Sequence, residues 1–139
     1  MVEFKNYFHT ILKANGFKEW KDGFNRDNIP KNILNQSYFM TYSIATVENG
    51  TNMEDNISIE IEHFFKGYRN PQDAIDNAME KVNSMRLEIL DPQTIALFNE
   101  VTILGIDSVS QEPEPLNASN DNSIIVTTEL NLRLIQINC

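Results

Sequence analysis

Cysteine is almost absent from this chain: of 139 residues one is cysteine, Cys139, at the last position. A lone thiol closes no internal disulfide, and a terminal position offers no built pocket for a nucleophile. Glycine is scarce, with five in all, and neither GxGxxG nor GxxxxGK[ST] occurs, so a phosphate-cradling loop is not supported. The two histidines, His9 and His63, have no Cys, Asp or Glu partners at ligand spacing, which argues against a metal site and for structural roles. No run approaches the ~20 apolar residues of a membrane span, and the N-terminus lacks the layout of a signal peptide. The expectation is synthesis in the cytoplasm, with no membrane, metal or cofactor among the partners.

Basic charge is also in deficit, with 11 Lys and Arg against 20 Asp and Glu, a net charge of −9. Residues 1–31 carry six basic and four acidic side chains, whereas residues 32–139 carry five basic and sixteen acidic. An acidic body does not wrap nucleic acid, because phosphate contacts need clustered Lys and Arg. It suits solubility, an assembly with complementary ends, or a surface past which DNA slides without sticking.

What is present is periodicity. Phe4, Tyr7, Phe8, Ile11 and Leu12 form one apolar stripe of a helix, which Asn15-Gly16 ends, and His9 and Lys13 fall on its polar side. Phe17, Trp20 and Phe24 interleave with Lys18, Lys21 and Arg26. Because Glu19, Asp22 and Asp27 break up the cations, the aromatics read as cover for a sheet edge rather than as a base-stacking surface.

Ser37 to Val47 reads as a strand, with Tyr38, Met40, Tyr42 and Ile44 on one face. Ile57, Ile59 and Ile61 alternate with Ser58, Glu60 and Glu62 in a second strand, which makes a hairpin with a long polar tip from Glu48 to Asn56. His63 follows the phase of the isoleucines. Glu60 and Glu62 share the opposite face, about 7 Å apart by strand rise, and face solvent rather than a buried acid–base site.

Asn70-Pro71-Gln72-Asp73 is a helix start: Asn caps the free amides, Pro fits the first turn and Asp73 suits the positive end of the dipole. Ile75, Ala78, Met79, Val82 and Met85 give its apolar stripe, and Asp91-Pro92 its end. Burying each such side chain is worth roughly 1.5–3 kcal/mol before chain entropy is set against it. A third strand is expected from Asn99 to Val109. Gln111 to Asn122, acidic and twice broken by proline, reads as a mobile loop. A last strand of about sixteen residues, Ser123 to Asn138, shifts phase at Leu134-Ile135, which a bulge would explain. Its length suggests a strand that extends beyond its own domain or carries an edge that a neighbour pairs.

The expected architecture is one α+β domain over residues 1–139: a four-stranded, mainly antiparallel sheet with two principal helices on one face, in the order α-β-β-α-β-β. No catalytic constellation accompanies it.

That element order, the size, the N-terminal helix Phe4–Asn15, the hairpin Tyr38–Ile61 with its long tip, the helix Pro71–Ile89, the late acidic loop and the closing strand Ile124–Ile137 resemble the tail terminator (tail completion) proteins of long-tailed bacteriophages. The resemblance implies a non-enzymatic virion protein, located in the tail or neck. It would cap the growing tail tube as a homo-oligomeric ring, commonly of six subunits, end polymerisation and join the tail to a head-side connector protein. Its partners would be other copies of itself, the tail tube protein and the connector, with DNA only passing through the lumen. Partner contacts are expected at the hairpin tip (Glu48, Asn49, Asn52, Met53, Glu54, Asp55) and in the late acidic loop (Glu112, Glu114, Leu116, Asn117, Asp121). The alternatives are another head–tail connector or minor tail protein, and a small acidic protein-binding module of inhibitor or immunity type that meets a basic partner.

Overall fold

A computed structural model describes residues 2–21, 36–49, 52–66, 70–89, 101–115 and 123–136. The first helix, α1, spans Val2–Ala14, and a two-residue strand β1 covers Lys18–Glu19. Strands β2 (Ser37–Asn49) and β3 (Asn52–Phe65) precede helix α2 (Pro71–Ile89), and β4 (Val101–Pro115) and β5 (Ile124–Gln136) follow it. The α+β class is as expected, but the sheet has five strands, in the order β1-β2-β3-β5-β4. The strand that the sequence did not announce is β1, which pairs parallel to Ser37 and Tyr38. Two residues carry no alternation, so nothing in them signals a strand.

Helix α1 ends as its sequence suggests. Gly16 adopts φ +86°, the Gly16 amide donates to the Lys13 carbonyl at 3.1 Å, and the Phe17 amide reaches back to the Leu12 carbonyl at 3.0 Å. These two bonds define a Schellman motif, and both Phe17 and Leu12 are buried, which supplies its hydrophobic contact. Helix α2 starts on a reciprocal cap. The Asp73 amide donates to Asn70 Oδ1 at 2.8 Å, and Asn70 Nδ2 donates to the Asp73 carboxylate at 2.7 Å. The buried face of α2 runs along Ala74, Ala78, Val82 and Met85, with Ile75 and Met79 at its half-buried margin. The expected stripe is therefore rotated toward the alanines, whose small side chains let the helix lie close to its neighbours. The expected helix end at Asp91-Pro92 lies outside the described residues.

The inner face of β3 (Ile57, Ile59, Ile61, His63, Phe65) meets that of β5 (Leu132, Leu130, Thr128, Val126, Ile124) rung for rung. These residues join Phe8, Ile11, Leu12 and the α2 face in the core. The two β5 neighbours differ in regularity. Pairing with β3 is unbroken from Ile124 to Leu134, so β5 carries no bulge there. The irregularities lie in β4, between Ile103 and Gly105 and between Ile106 and Ser108. Ile103, Ile106 and Val109, spaced by three, thereby sit opposite Leu134, Leu132 and Leu130, spaced by two. Two inserted residues, Leu104 and Asp107, thus reset the alternation of β4 against β5.

Two segments expected as loops are strand. β2 and β3 stay paired as far as Asn49 and Asn52, which leaves only residues 50 and 51, outside the described set, between them. Gln111 to Pro115 continue β4, with Pro113 and Pro115 opposite Val126 and Ile124. Proline is tolerated there because β4 lies at the sheet edge, where a missing N–H need not break a ladder.

Candidate assembly surface

The segment Phe39 to Val47 is rich in β-branched and aromatic residues and has no charge, proline or glycine, so it forms strand readily. Its pairing to β3 is regular. Yet Thr41, Tyr42, Ser43, Ile44, Ala45 and Thr46 are all exposed, on both faces of the strand. Tyr42 and Ile44 keep 42% and 41% of their surface in water, although their direct neighbours Ile59 and Ile57 keep only 2% each. The helical layer thus reaches the start of β2, where His9 meets Tyr38 and Met40 packs on the core, and stops short of Tyr42 and Ile44. This part of the hairpin is an arm that the core does not use.

The expected contact residues fall into three groups. Glu48, Asn49, Asn52, Met53 and Glu54 lie together at the far end of that arm, with Glu48 opposite Met53 and Asn49 opposite Asn52. Asp55 is a correction: it is buried, and Thr46 Oγ1 donates to its carboxylate at 2.8 Å, so it braces the hairpin from within rather than offering itself to a partner. Glu112 and Glu114 are exposed on β4, in rows with Thr127 and Ile125. Glu112 shares its row with Glu62, seven residues along β3 from Asp55, roughly 20–25 Å at strand rise. The two predicted contact regions are therefore not one site. Leu116, Asn117 and Asp121 lie outside the described residues.

Strand pairing creates a feature that the linear sequence hides. On the face away from the helices, Glu60 sits opposite Glu129, whose other neighbour is Ser110, and Glu62 opposite Thr127, whose other neighbour is Glu112. Glu60, Glu129 and Glu112 are exposed. Like charges directly opposite one another work against pairing, so this acidic surface is maintained against a local stability cost. At the Phe65 end the same face is closed, since Phe64 and Ile125 are buried. Alternation identified Glu60 and Glu62, but their neighbours became visible only with the register.

Two histidines are drawn inward. His63 is fully buried, its Nε2 lies 3.0 Å from Thr128 Oγ1, and its ring meets Phe17 edge-on at 5.2 Å. Gln111 Nε2 also donates to Thr128 Oγ1, at 3.2 Å, and reaches the Val82 carbonyl of α2 at 3.4 Å. Burial pushes the His63 pKa down to about 3. A neutral, sealed imidazole has no route to a substrate proton, so this cluster is a structural polar rung. His9, expected on the polar side of α1, is half-buried, and its Nδ1 lies 2.7 Å from the Tyr38 hydroxyl. Burial, with a smaller contribution from the Glu19 carboxylate, pushes the Tyr38 pKa up to about 12. Among the described residues no group of three or more His, Cys, Asp or Glu could hold a metal ion, and no helix is long and apolar enough to cross a membrane. Phe17 is buried and Lys18 and Lys21 are exposed, in keeping with aromatic cover over the sheet, while Phe24 lies outside the described residues.

No protein-family model matches the chain, and comparison with curated proteins gives no match.

Proposed function

We propose that this chain is a structural assembly protein that works by contact rather than catalysis, and that its role is to cap a phage tail tube as a ring. The observation that carries the reading is the β2–β3 arm. Thr41 to Thr46 are exposed on both faces while the same hairpin's β3 side is packed into the core. A hairpin that outruns its own hydrophobic layer is suited to reach a neighbour. A closed ring needs two different surfaces on each subunit, and the arm and the β4 edge, at opposite sides of the sheet, supply them. The acidic outer face, with Glu60 and Glu129, would repel DNA from a lumen wall and so favour its passage. Ring subunits would then contact the tube protein on one side and the head-side connector on the other.

The test is mass by light scattering after size exclusion, negative-stain imaging, and mixing with purified tail tubes. A ring with a central hole that binds tube ends supports the proposal. A protein that leaves tube ends uncapped and tube growth unaltered overturns it. The acidic rows favour a second reading, a small module that meets a basic partner. That reading requires a one-to-one complex whose affinity falls steeply with salt.

A further inference from the structure

Two Asn-Gly pairs occur in the chain, Asn15–Gly16 and Asn49–Gly50. Asn followed by Gly is the pairing most open to attack of the main chain on its own side chain, because glycine has no side chain to shield its nitrogen. Gly50 lies outside the described residues, whereas Asn15–Gly16 forms the end of α1. Gly16 is exposed, and a Cβ placed on it meets nothing within 4 Å, so water and base reach its nitrogen.

Two hydrogen bonds nevertheless hold both reacting groups out of position. The Gly16 amide donates to the Lys13 carbonyl at 3.1 Å, so the proton that must leave is engaged. Asn15 Nδ2 donates to the Ile11 carbonyl at 2.8 Å, which turns the carboxamide back over the preceding helical turn. The Asn15 amide donates to the same carbonyl at 3.1 Å, and the Phe17 amide holds the Leu12 carbonyl at 3.0 Å. Chemistry and geometry are thus opposed at one solvent-exposed residue pair.

We infer that Asn15–Gly16 is a site of spontaneous deamidation controlled by opening of the α1 cap, and that the modified cap no longer closes fully. When the cap opens, solvent base takes the Gly16 amide proton and the nitrogen attacks Asn15 Cγ. The new C–N bond closes a five-membered succinimide, and the side-chain nitrogen takes up a proton and leaves as ammonia. Water then opens the ring at either carbonyl, which leaves aspartate or isoaspartate at position 15. Water is the only co-reactant.

Both products act against the cap. Aspartate sets a negative charge at the negative end of the helix dipole, and it meets the Ile11 carbonyl where Nδ2 had donated. Isoaspartate adds a main-chain carbon ahead of Gly16, which shifts the register of the Gly16–Lys13 and Phe17–Leu12 bonds. The loosened cap lies at a joint of the fold. Phe17 meets His63 and Phe65 edge-on at 5.2 and 5.7 Å, and the Lys18 amide donates to the Gln36 carbonyl at 2.8 Å, where β1 joins β2. The inference is independent of the tube-capping reading, since it concerns the chain's own chemistry.

The test incubates full-length protein at pH 8, native and in urea, and follows both Asn-Gly pairs by peptide mass spectrometry. In urea, Asn15 and Asn49 should convert at similar rates. In the native protein, Asn15 should convert about tenfold or more slowly, as two hydrogen bonds of ordinary net strength imply. The slowing should be at least the protection of the Gly16 amide against hydrogen exchange, and smaller than the protection of core amides of β3, whose exposure needs wider unfolding. Asn15→Gln, whose longer side chain closes a ring less readily, should abolish conversion at position 15. Asn15→Asp, which carries one product from the start, should melt at a lower temperature than the native chain and expose the Gly16 amide to faster exchange. Native conversion as fast as in urea overturns the inference, as does an inert Asn15 in urea while Asn49 converts. Slowing equal to the protection of the β3 core amides overturns control by the cap. An Asn15→Asp protein with native melting and native exchange at Gly16 overturns the effect of the product.

Discussion

His63 Nε2 lies 3.0 Å from Thr128 Oγ1 across the β3–β5 pair, while His63 Nδ1 has no partner among the described residues. The ring proton therefore belongs on Nε2, where it has an acceptor, and a second proton would sit on a buried nitrogen with nothing to receive its hydrogen bond. Geometry and burial agree in keeping the imidazole neutral at a pKa of about 3. The unfolded chain, with an ordinary histidine near 6.5, takes up a proton that the folded chain refuses. Stability from this group is complete above pH 6.5 and falls as pH drops toward 3, by about 1.4 kcal/mol per unit. Between pH 7 and 5, where carboxylates contribute little, urea unfolding should lose about 2 kcal/mol more in the native protein than in His63→Leu. Parallel slopes for the two would show that His63 is accessible to protons in the fold.

Tyr38 sets the opposite limit. Its hydroxyl, 2.7 Å from His9 Nδ1, is held protonated to about pH 12, whereas the unfolded tyrosine ionises near 10. The folded pKa is raised, so this stability is present below pH 10 and is lost as pH rises toward 12, amounting to between about 2 and 3 kcal/mol. Tyr38→Phe should remove that alkaline slope. At pH 7 it should lose only about 1 kcal/mol, the net value of a hydrogen bond. Denaturant midpoints at pH 8, 10 and 11 measure both effects.

Gly16 isolates a backbone term. A Cβ built there meets nothing within 4 Å, so any loss on substitution comes from φ +86° alone. Gly16→Ala should destabilise by about 1 kcal/mol, and Gly16→Asn by less, because Asn tolerates the left-handed region. Equal stability of Gly16→Ala and the native chain would mean that the Schellman turn opens without loss.

Residues that signal locally gave readable elements. Asn70 and Asp73 cap α2, Gly16 ends α1, and the alternation from Ile57 to Ile61 marks the buried face of β3. The failures share a cause, which is that pairing partners are distant in sequence. Glu48 to Asn56 looked like a loop because it is polar and rich in turn residues, and only the register, from Thr46 opposite Asp55 to Asn49 opposite Asn52, shows that it pairs. Gln111 to Pro115 looked like a loop because proline penalises interior strands, and nothing local shows that β4 is an edge. β4 lost its period because two inserted residues reset it against β5. The candidate surface was half legible. Glu48, Asn49, Asn52, Met53 and Glu54 do cluster at the hairpin end, but the exposure of Tyr42 and Ile44 depends on where the helices stop.

That helix boundary yields the last prediction. Ala78 is fully buried on α2, one residue from the half-buried Met79, and Ala74 and Val82, one turn to either side, are buried with it. A small residue at the centre of a packed helix face means close approach, so Ala78→Leu must push α2 off its neighbours, which typically costs about 1–3 kcal/mol. Val82→Ala, which removes atoms from the same face, should lose between about 1 and 3 kcal/mol through lost burial and the cavity left behind. Met79→Asp, at the margin, can turn its carboxylate toward solvent and should leave a folded protein with a lower melting temperature. Had Met79 been central, as the sequence stripe suggested, Asp there would unfold the domain. Thermal melts of Ala78→Leu and of a fourth, conservative variant, Met79→Leu, decide which residue the helix is rotated onto: Ala78→Leu less stable than Met79→Leu places Ala78 at the centre, and the reverse order places Met79 there.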